Sequence, residues 1–151
     1  MKKILQIICA ILFFTNARAQ TYSWQKMQSL GSSAANRSYA VSFSIGSKGY
    51  TGTGLETIVN GNEAKSDFWE YDPAFDSWTQ KSDFPDFTGR ICCVGFSIGN
   101  KGYMGTGADG NFLPTTDFYE YDHSTNVRTQ KATLTGPARC VASGIPMGGK
   151  G

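Results

Sequence analysis

The sequence predicts an all-β protein built from repeated four-stranded antiparallel sheets, and three observations lead to this prediction. A pattern of about 50 residues occurs twice and begins a third time within the 151 residues. Each copy contains short segments rich in aromatic and β-branched residues, separated by turns that contain glycine, asparagine or proline. Beyond the first 20 residues, no segment has the sustained 3.6-residue apolar period of an amphipathic helix. We therefore expect strands and turns throughout the mature chain.

The first 19 residues have the composition of a secretory signal peptide. Lys2 and Lys3 precede the apolar run Ile4–Phe14, and Ala17–Ala19 forms a small-x-small cleavage site. The run is shorter than the ~20 apolar residues that span a bilayer; a buried helix or an uncleaved anchor is the alternative. We expect cleavage after Ala19, a secreted, periplasmic or cell-surface location, and no membrane span in the mature chain.

The charge of the mature chain excludes two classes of partner. Three of the 14 Lys and Arg residues lie in the leader, which leaves 11 basic against 12 acidic residues. A near-neutral protein has no electrostatic footprint for nucleic acid or for an anionic membrane surface. An aromatic content of 13% with only 17% charged residues also argues against disorder.

Residues 20–36 predict an N-terminal strand without a blade of its own. The segment Tyr22–Met27 contains Trp24, which precedes Trp78 by 54 residues, close to one repeat period. Trp78 lies in the fourth predicted strand of the first copy, so Tyr22–Met27 is expected to act as the fourth strand of another sheet.

Two complete copies follow, at residues 37–89 and 90–138. Phe43–Gly54 and Phe96–Gly107 are identical at ten of twelve positions, and Asp67–Asp72 returns as Asp117–Asp122. Each copy predicts four strands, because its apolar segments have strand length and its gaps carry turn residues. The predicted strands are Tyr39–Ile45, Gly49–Thr53, Asp67–Tyr71 and Ser77–Lys81 in the first copy, and Ile91–Ile98, Gly102–Thr106, Asp117–Tyr121 and Val127–Lys131 in the second.

Several of these strands carry apolar groups on both faces. Phe68 and Trp69 are adjacent, as are Phe118 and Tyr119. Because neighbouring strand residues point to opposite faces, such a sheet must be covered on both sides. Stacked sheets of four strands per unit provide that cover in a β-propeller.

A third copy begins at residue 139 and runs to 151. Its last residues repeat the Gly-x-Lys-Gly turn of the second copy, while Pro146 would remove a backbone donor from its expected first strand. The structural markers of the repeat are Arg37, Arg90 and Arg139, the glycines Gly54 and Gly107, and the aromatic residues Tyr71, Tyr121 and Trp78.

These markers resemble the kelch repeat, in which a glycine pair ends the second strand and a Tyr and a Trp follow. Gly52-Thr-Gly54 and Gly105-Thr-Gly107 stand near the glycine pair, and Tyr71 with Trp78 matches the aromatic pair. The wording of residues 22–151 is similar to secreted bacterial kelch proteins labelled galactose-oxidase-like. The resemblance implies blades of a β-propeller.

The chain departs from the kelch pattern in composition and in number of units. Arg128 occupies the place of the second Trp, and its charged head must reach water or a partner. About two and a half blades are present, whereas kelch propellers close with about five to seven. The expected fold is therefore an incomplete propeller, either a fragment or a truncated product, whose open faces meet the missing blades or a second copy.

Candidate catalytic and metal-binding groups are few. His123 is the single histidine and stands in a turn where the first copy has Pro73, so it does not supply the two-histidine copper site that resemblance to galactose oxidase would imply. The acidic residues recur in both copies, which favours structural pairing with the repeated arginines over catalysis; they are Asp67, Glu70, Asp72, Asp117, Glu120 and Asp122. We expect no catalytic residue, cofactor or metal.

The mature chain keeps three cysteines. Cys92 and Cys93 are neighbours and point to opposite faces of a strand, so a bond between them would be strained. We expect three small buried hydrophobic residues. A disulfide from Cys140 to either Cys92 or Cys93 is the alternative that the sequence leaves open.

The connections between the second and third strands are the candidate binding loops. Leu55–Ser66 and Ala108–Thr116 differ in sequence although the strands around them repeat, as in propellers that bind different ligands. The candidate contact residues are Leu55, Ile58, Val59, Asp109, Asn111, Phe112 and Leu113; covering the sheet edge is the equal alternative for the apolar ones, and a turn is favoured over Ca²⁺ binding for Asp109-Gly-Asn111.

The expected function is therefore a secreted, non-catalytic scaffold that binds a protein or a glycan. The alternatives are a fragment of a kelch-fold carbohydrate-processing enzyme similar to sialic acid epimerases, and a truncated product without function.

Overall fold

The computed structural model describes residues 23–31, 37–59 and 61–147, and the described residues form thirteen β-strands. The signal-peptide prediction and the end of the third copy (residues 148–151) lie outside them, as do residue 22 and residues 32–36 of the predicted N-terminal strand. Within the described part, no helix is long and apolar enough to cross a membrane. In chain order the strands are β1 (Arg37–Ser38), β2 (Val41–Ile45), β3 (Lys48–Gly52), β4 (Leu55–Ile58), β5 (Gly61–Ala64), β6 (Phe68–Asp72), β7 (Ser77–Lys81), β8 (Arg90–Ile91), β9 (Val94–Ile98), β10 (Lys101–Gly105), β11 (Ala108–Asp109), β12 (Phe118–Asp122) and β13 (Val127–Lys131).

The four predicted strands of each copy form one sheet with the strands side by side in chain order. Blade 1 has the order β2-β3-β6-β7 and blade 2 the order β9-β10-β12-β13. Every neighbouring pair is antiparallel. The all-β prediction and its four-stranded units are confirmed.

The first strand of each blade begins later than predicted. Tyr39 has φ 56° and Cys92 has φ 54°, a left-handed conformation that side-chain-bearing residues rarely adopt. Such a residue turns the chain out of the extended direction, so the strands start at Val41 and Val94. The predicted strand Ile91–Ile98 is thereby split into β8 and β9.

The connections predicted as loops contain strands of their own. In Leu55–Ser66, β4 and β5 form a hairpin, and β1 pairs with β4 to make a small three-stranded sheet. In Ala108–Thr116, β11 pairs with β8. The partners β1 and β8 precede the blades that these hairpins leave, so the pairing is not visible from the loop sequence alone.

Blade 2 covers one face of blade 1 and thereby forms the main core. Tyr50 and Phe68 of blade 1 are 2% and 0% exposed, and Tyr121 of blade 2 is 0% exposed. The ring centroid of Tyr121 lies 5.1 Å from that of Phe68 and 5.8 Å from that of Tyr50, in edge-on geometry. Aromatic pairs at this spacing stabilise a core beyond the area they bury.

Two glycines of blade 2 permit this close approach. A Cβ at Gly95 would lie 2.3 Å from Val41 Cγ2, and a Cβ at Gly102 would lie 2.4 Å from Phe43 Cε2. Neither atom could be accommodated without displacement of its neighbour. The glycines are therefore required by the stacking of the blades.

Arg128 finds partners for both parts of its side chain. Its guanidinium lies over the rings of Phe68 and Tyr121, 4.3 and 4.7 Å from their centroids. It donates hydrogen bonds to the backbone oxygens of Ser82 and Asp83. Burial lowers the pKa of Arg128 to about 10. A cation that stacks on two rings replaces the expected packing aromatic.

The third copy begins to pack on blade 2 as blade 2 packs on blade 1. Gly107 N–H donates to the Arg139 oxygen at 2.9 Å, matching the bond from Gly54 N–H to the Arg90 oxygen at 2.7 Å. A Cβ at Gly144 would lie 2.3 Å from Val94 Cγ1, as one at Gly95 would meet Val41. Around Pro146, residues 142–146 form no strand.

Residues 23–31 lie beside the opposite side of blade 1, outside any strand. The Trp78 indole N–H donates to the Gln28 oxygen at 2.9 Å, and Gln28 N–H donates to Asp76 Oδ1 at 2.8 Å. The same two contacts recur between the blades, where Arg128 binds the Ser82 oxygen and Ser82 N–H binds Asn126 Oδ1. The segment thus contacts blade 1 as the end of blade 1 contacts blade 2.

Candidate functional site

One end of the stacked blades gathers the connections that differ between the copies. The β4–β5 hairpin and residues 82–89 meet at Gly89, where an added Cβ would lie 2.3 Å from the Ala64 oxygen. Residues 82–89 then meet the loop after β11, because Gly110 N–H donates to Thr88 Oγ1 at 3.1 Å. The end of each blade's fourth strand and the segment between its second and third strands therefore form one continuous surface.

This end exposes five large apolar side chains, which we call the loop face. Val59 and Phe87 are almost fully exposed, at 101% and 108%. Ile58, Phe112 and Leu113 are 44–62% exposed. Exposed apolar side chains that cluster on one surface are typical of interaction sites, whereas scattered ones need no explanation. The loop face comprises Ile58, Val59, Phe87, Phe112 and Leu113.

The structure places the predicted contact residues in three situations. Ile58, Val59, Phe112 and Leu113 lie on the loop face. Leu55 packs instead with Ile91 and Ala108 in a small buried cluster, where it holds β4 against β8. Leu55 therefore covers the sheet edge, the alternative considered for the apolar loop residues.

Asp109 and Asn111 form the turn that presents Phe112. Asp109 Oδ1 accepts hydrogen bonds from the backbone N–H groups of Asn111 and Leu113, both at 2.9 Å. These bonds hold the pKa of Asp109 below its ordinary value, against the effect of burial. Phe112 itself has φ 64°, so the turn projects its ring away from the strands. The Asp-Gly-Asn segment serves a turn, as its sequence favours.

Phe87 is a surface residue that the sequence analysis did not identify. It lies in the short connection from β7 to β8, between Asp86 and Thr88, in a segment that resembles an ordinary turn. Asp86 Oδ1 accepts hydrogen bonds from the Thr88 backbone and hydroxyl, which fixes this turn. The available signal was the position of the connection, because a fourth-to-first loop ends on the same side of a blade as a second-to-third loop.

A buried arginine supports the loop face from below. Arg90 is 2% exposed and donates to the carboxylates of Asp117 at 2.7 and 2.8 Å and of Asp86 at 2.9 and 3.2 Å. Burial alone would raise the pKa of Asp117, but the Arg90 bonds hold it below its ordinary value. Arg37 repeats the arrangement with Asp67 at 2.6 Å. A charge pair of this kind, with its hydrogen bonds made, fixes the segments that it joins.

The remaining repeated carboxylates are held by lysines. Glu70 accepts hydrogen bonds from Tyr50 at 2.6 Å and Lys48 at 2.8 Å, and Glu120 pairs with Lys131 at 3.0 Å. Asp72 and Asp122 pair with Lys48 and Lys101. Each of these carboxylates thus has an ionic partner within its own blade. Across the described residues there is no group of three or more His, Cys, Asp or Glu side chains that could hold a metal ion, and His123 belongs to none.

The largest cavity lies beside the third copy and away from the loop face. It has a volume of about 400 Å³ and is lined mainly by apolar groups, among them Val94, Phe96, Phe118 and Leu134. Its position on blade 2 corresponds to the face of blade 1 that blade 2 covers. The cavity is therefore the uncovered part of a blade face.

The stacked four-stranded sheets, the repeated contacts between them and the gathered loops define an incomplete, kelch-like β-propeller. The chain is similar to a solved structure titled "Structure of YjhT", with a TM-score of 0.62 and 17% sequence identity. The match covers 69% of this chain and 40% of that chain, and at this identity it supports the fold alone. No family model and no curated protein matches the sequence.

Proposed function

We propose that this chain belongs to a secreted kelch-repeat propeller and serves as a scaffold that binds a protein or a glycan, without catalysis by its own residues. The loop face is the observation that carries the proposal. Its five apolar side chains come from three separate connections, yet they share one end of the blades. Leaving them in water costs solvation free energy that a partner surface would recover.

The carboxylates near the loop face support binding over catalysis. Asp86 and Asp117 are engaged by Arg90, and Asp109 is engaged by backbone N–H groups. A general acid or base needs a carboxyl that can exchange a proton near neutral pH. Hydrogen bonds that lower the pKa of Asp109 and Asp117 oppose that use.

A further blade is the other partner that we propose, at the uncovered face of blade 2. The outer face of blade 1 in a second copy would fit less well, because Ser42 stands in blade 1 where Gly95 stands in blade 2 and Gly144 in the third copy. The requirement for glycine at this position favours the remaining blades of a propeller over self-association.

The test of the loop face uses the full chain on protein and glycan arrays, followed by titration of the captured ligand. Phe87→Ala and Phe112→Ala are expected to weaken binding about tenfold or more, because interface aromatics dominate binding energy. Phe75→Ala is the matched control. Phe75 is 79% exposed but lies in the β6–β7 turn at the opposite end of blade 1.

Two outcomes would contradict the proposal. Equal loss of binding in Phe75→Ala would indicate that the loop face has no special role. Turnover of a sugar substrate, with ligand binding unaffected by Phe87→Ala and Phe112→Ala, would favour the carbohydrate-processing enzyme instead.

A further inference from the structure

Cys140 is held against blade 2 at the point where the third copy begins. Both of its chain neighbours make backbone hydrogen bonds to blade 2. Gly107 N–H donates to the Arg139 oxygen at 2.9 Å, and Val141 N–H donates to the Cys92 oxygen at 3.3 Å. Chains bonded in this way run side by side with α-carbons about 4.5–5.5 Å apart. Cys140 and Cys92 therefore lie within the range of α-carbon separations that a disulfide spans.

The two thiols also face each other in a region open to reagents. Cys140 is exposed and Cys92 is half-buried, and both are free thiols. Burial raises the pKa of Cys92, and the charge of Cys140 raises it further, so the two sulfur atoms interact. The exposure of Cys140 corrects the expectation that all three cysteines are buried. Its position in the first residues of the third copy leaves it uncovered by a neighbouring blade.

Cys93 points to a different interface. Its Sγ lies 3.4 Å from Thr53 Oγ1 of blade 1, so it sits between blades 1 and 2 and not beside the third copy. Burial raises the pKa of Cys93 to about 11, which keeps its thiolate scarce. Of the two pairings that the sequence left open, the geometry thus favours one.

We propose that Cys92 and Cys140 form a disulfide that fixes the start of the third copy to blade 2. The oxidant is a low-molecular-weight disulfide or a protein disulfide of the same class. The exposed Cys140 thiolate attacks it, forms a mixed disulfide and releases one thiol. The Cys92 thiolate then attacks the Cys140 sulfur and releases the second thiol. Two protein thiols are oxidised, one disulfide is reduced to two thiols, and two protons are exchanged.

The test oxidises the reduced full chain with glutathione disulfide, alkylates the remaining thiols and maps peptides by mass spectrometry. Trypsin places Cys92 and Cys93 on one peptide, 91–101, and Cys140 on another, 140–150, apart from Cys9. We expect a linked pair of these peptides in the wild-type protein and in Cys93→Ser. We expect no link in Cys92→Ser or in Cys140→Ser. Oxidation should raise the thermal midpoint by about 5 °C or more, in the linked proteins only.

Several results would overturn the proposal. A link that persists in Cys92→Ser and disappears in Cys93→Ser would assign the bond to Cys93. Links found only in covalent dimers would show that Cys140 pairs between chains. Quantitative alkylation of Cys92 and Cys140 after oxidation would show that no bond forms. Cys140→Ser changes an exposed residue, so it reports on the bond even if Cys92→Ser fails to fold.

Discussion

Blade 1 and blade 2 carry similar residues at equivalent positions but differ in what covers them. Tyr50 and Phe68 of blade 1 are 2% and 0% exposed, whereas Tyr103 and Phe118, their counterparts in blade 2, are half-buried. Where the third copy does contact blade 2, burial returns, because Val94 and Phe96 are each 8% exposed. The comparison indicates that a propeller blade becomes a core only through its neighbour.

The largest expected effect is the contrast between Phe68→Ala and Phe118→Ala. Phe68 is fully buried between two blades and under the Arg128 guanidinium, so its truncation should cost about 3–5 kcal/mol of unfolding free energy. Phe118 borders the cavity, so its truncation should cost about 1–2 kcal/mol. Urea unfolding of both variants measures the difference. Equal losses would mean that blade 2 has its own covered core.

A smaller effect is expected when a methyl group is added at one glycine position of each blade. In Gly102→Ala the new Cβ would meet Phe43 Cε2 at 2.4 Å, which should cost about 1–3 kcal/mol. In Gly49→Ala, at the equivalent position of blade 1, the nearest atom is Tyr71 Cβ at 3.8 Å, an ordinary contact. Thermal unfolding should therefore separate the two variants, and a stable Gly102→Ala protein would mean that the blades are not in close contact.

The smallest effect concerns the two glutamates and the dependence of stability on pH. Burial would raise the pKa of Glu70, but bonds from Lys48, Tyr50 and Lys81 hold it below its model value of 4.5. A carboxyl with a lowered folded-state pKa stabilises the protein above its unfolded pKa, and this contribution is lost as the pH falls through the folded value. Glu70→Gln should therefore cost about 1–2 kcal/mol at pH 7 and less than that below about pH 4.

Glu120→Gln is the matched control for that measurement. Glu120 has similar partners, but its side chain is 21% exposed against 8% for Glu70, so its replacement should cost less. Denaturant midpoints measured from pH 3 to 7 report both variants. A loss in Glu70→Gln that does not change with pH would assign the effect to packing and not to charge.

The blade strands could be predicted from the sequence because their signals are local and occur twice. Phe68 and Phe118 lie in strands, as expected, since alternation and turn residues define segments of strand length. The small sheets were missed because β4 depends on β1, which is separated from it by the whole first hairpin of the blade. The strand starts were misplaced because Cys92 adopts a left-handed conformation that only tertiary contacts enforce.

The loop face was only partly predictable for a related reason. Val59 and Phe112 stood out as apolar residues in variable connections, and both are exposed. Leu55 had the same sequence signal, but its burial against Ile91 depends on how the β4–β5 hairpin folds over β8. Phe87 carried no local signal, because its importance depends on which end of the blade its loop reaches.

Arg90 has a consequence for how such a chain can change in length. Its guanidinium joins Asp117 of its own copy to Asp86 of the preceding copy. A gene duplication or deletion whose two ends fall at equivalent points of the repeat preserves every such connection. One that falls out of phase leaves a buried cation without its anions. Selection would therefore admit whole units and reject partial ones in the interior of the array.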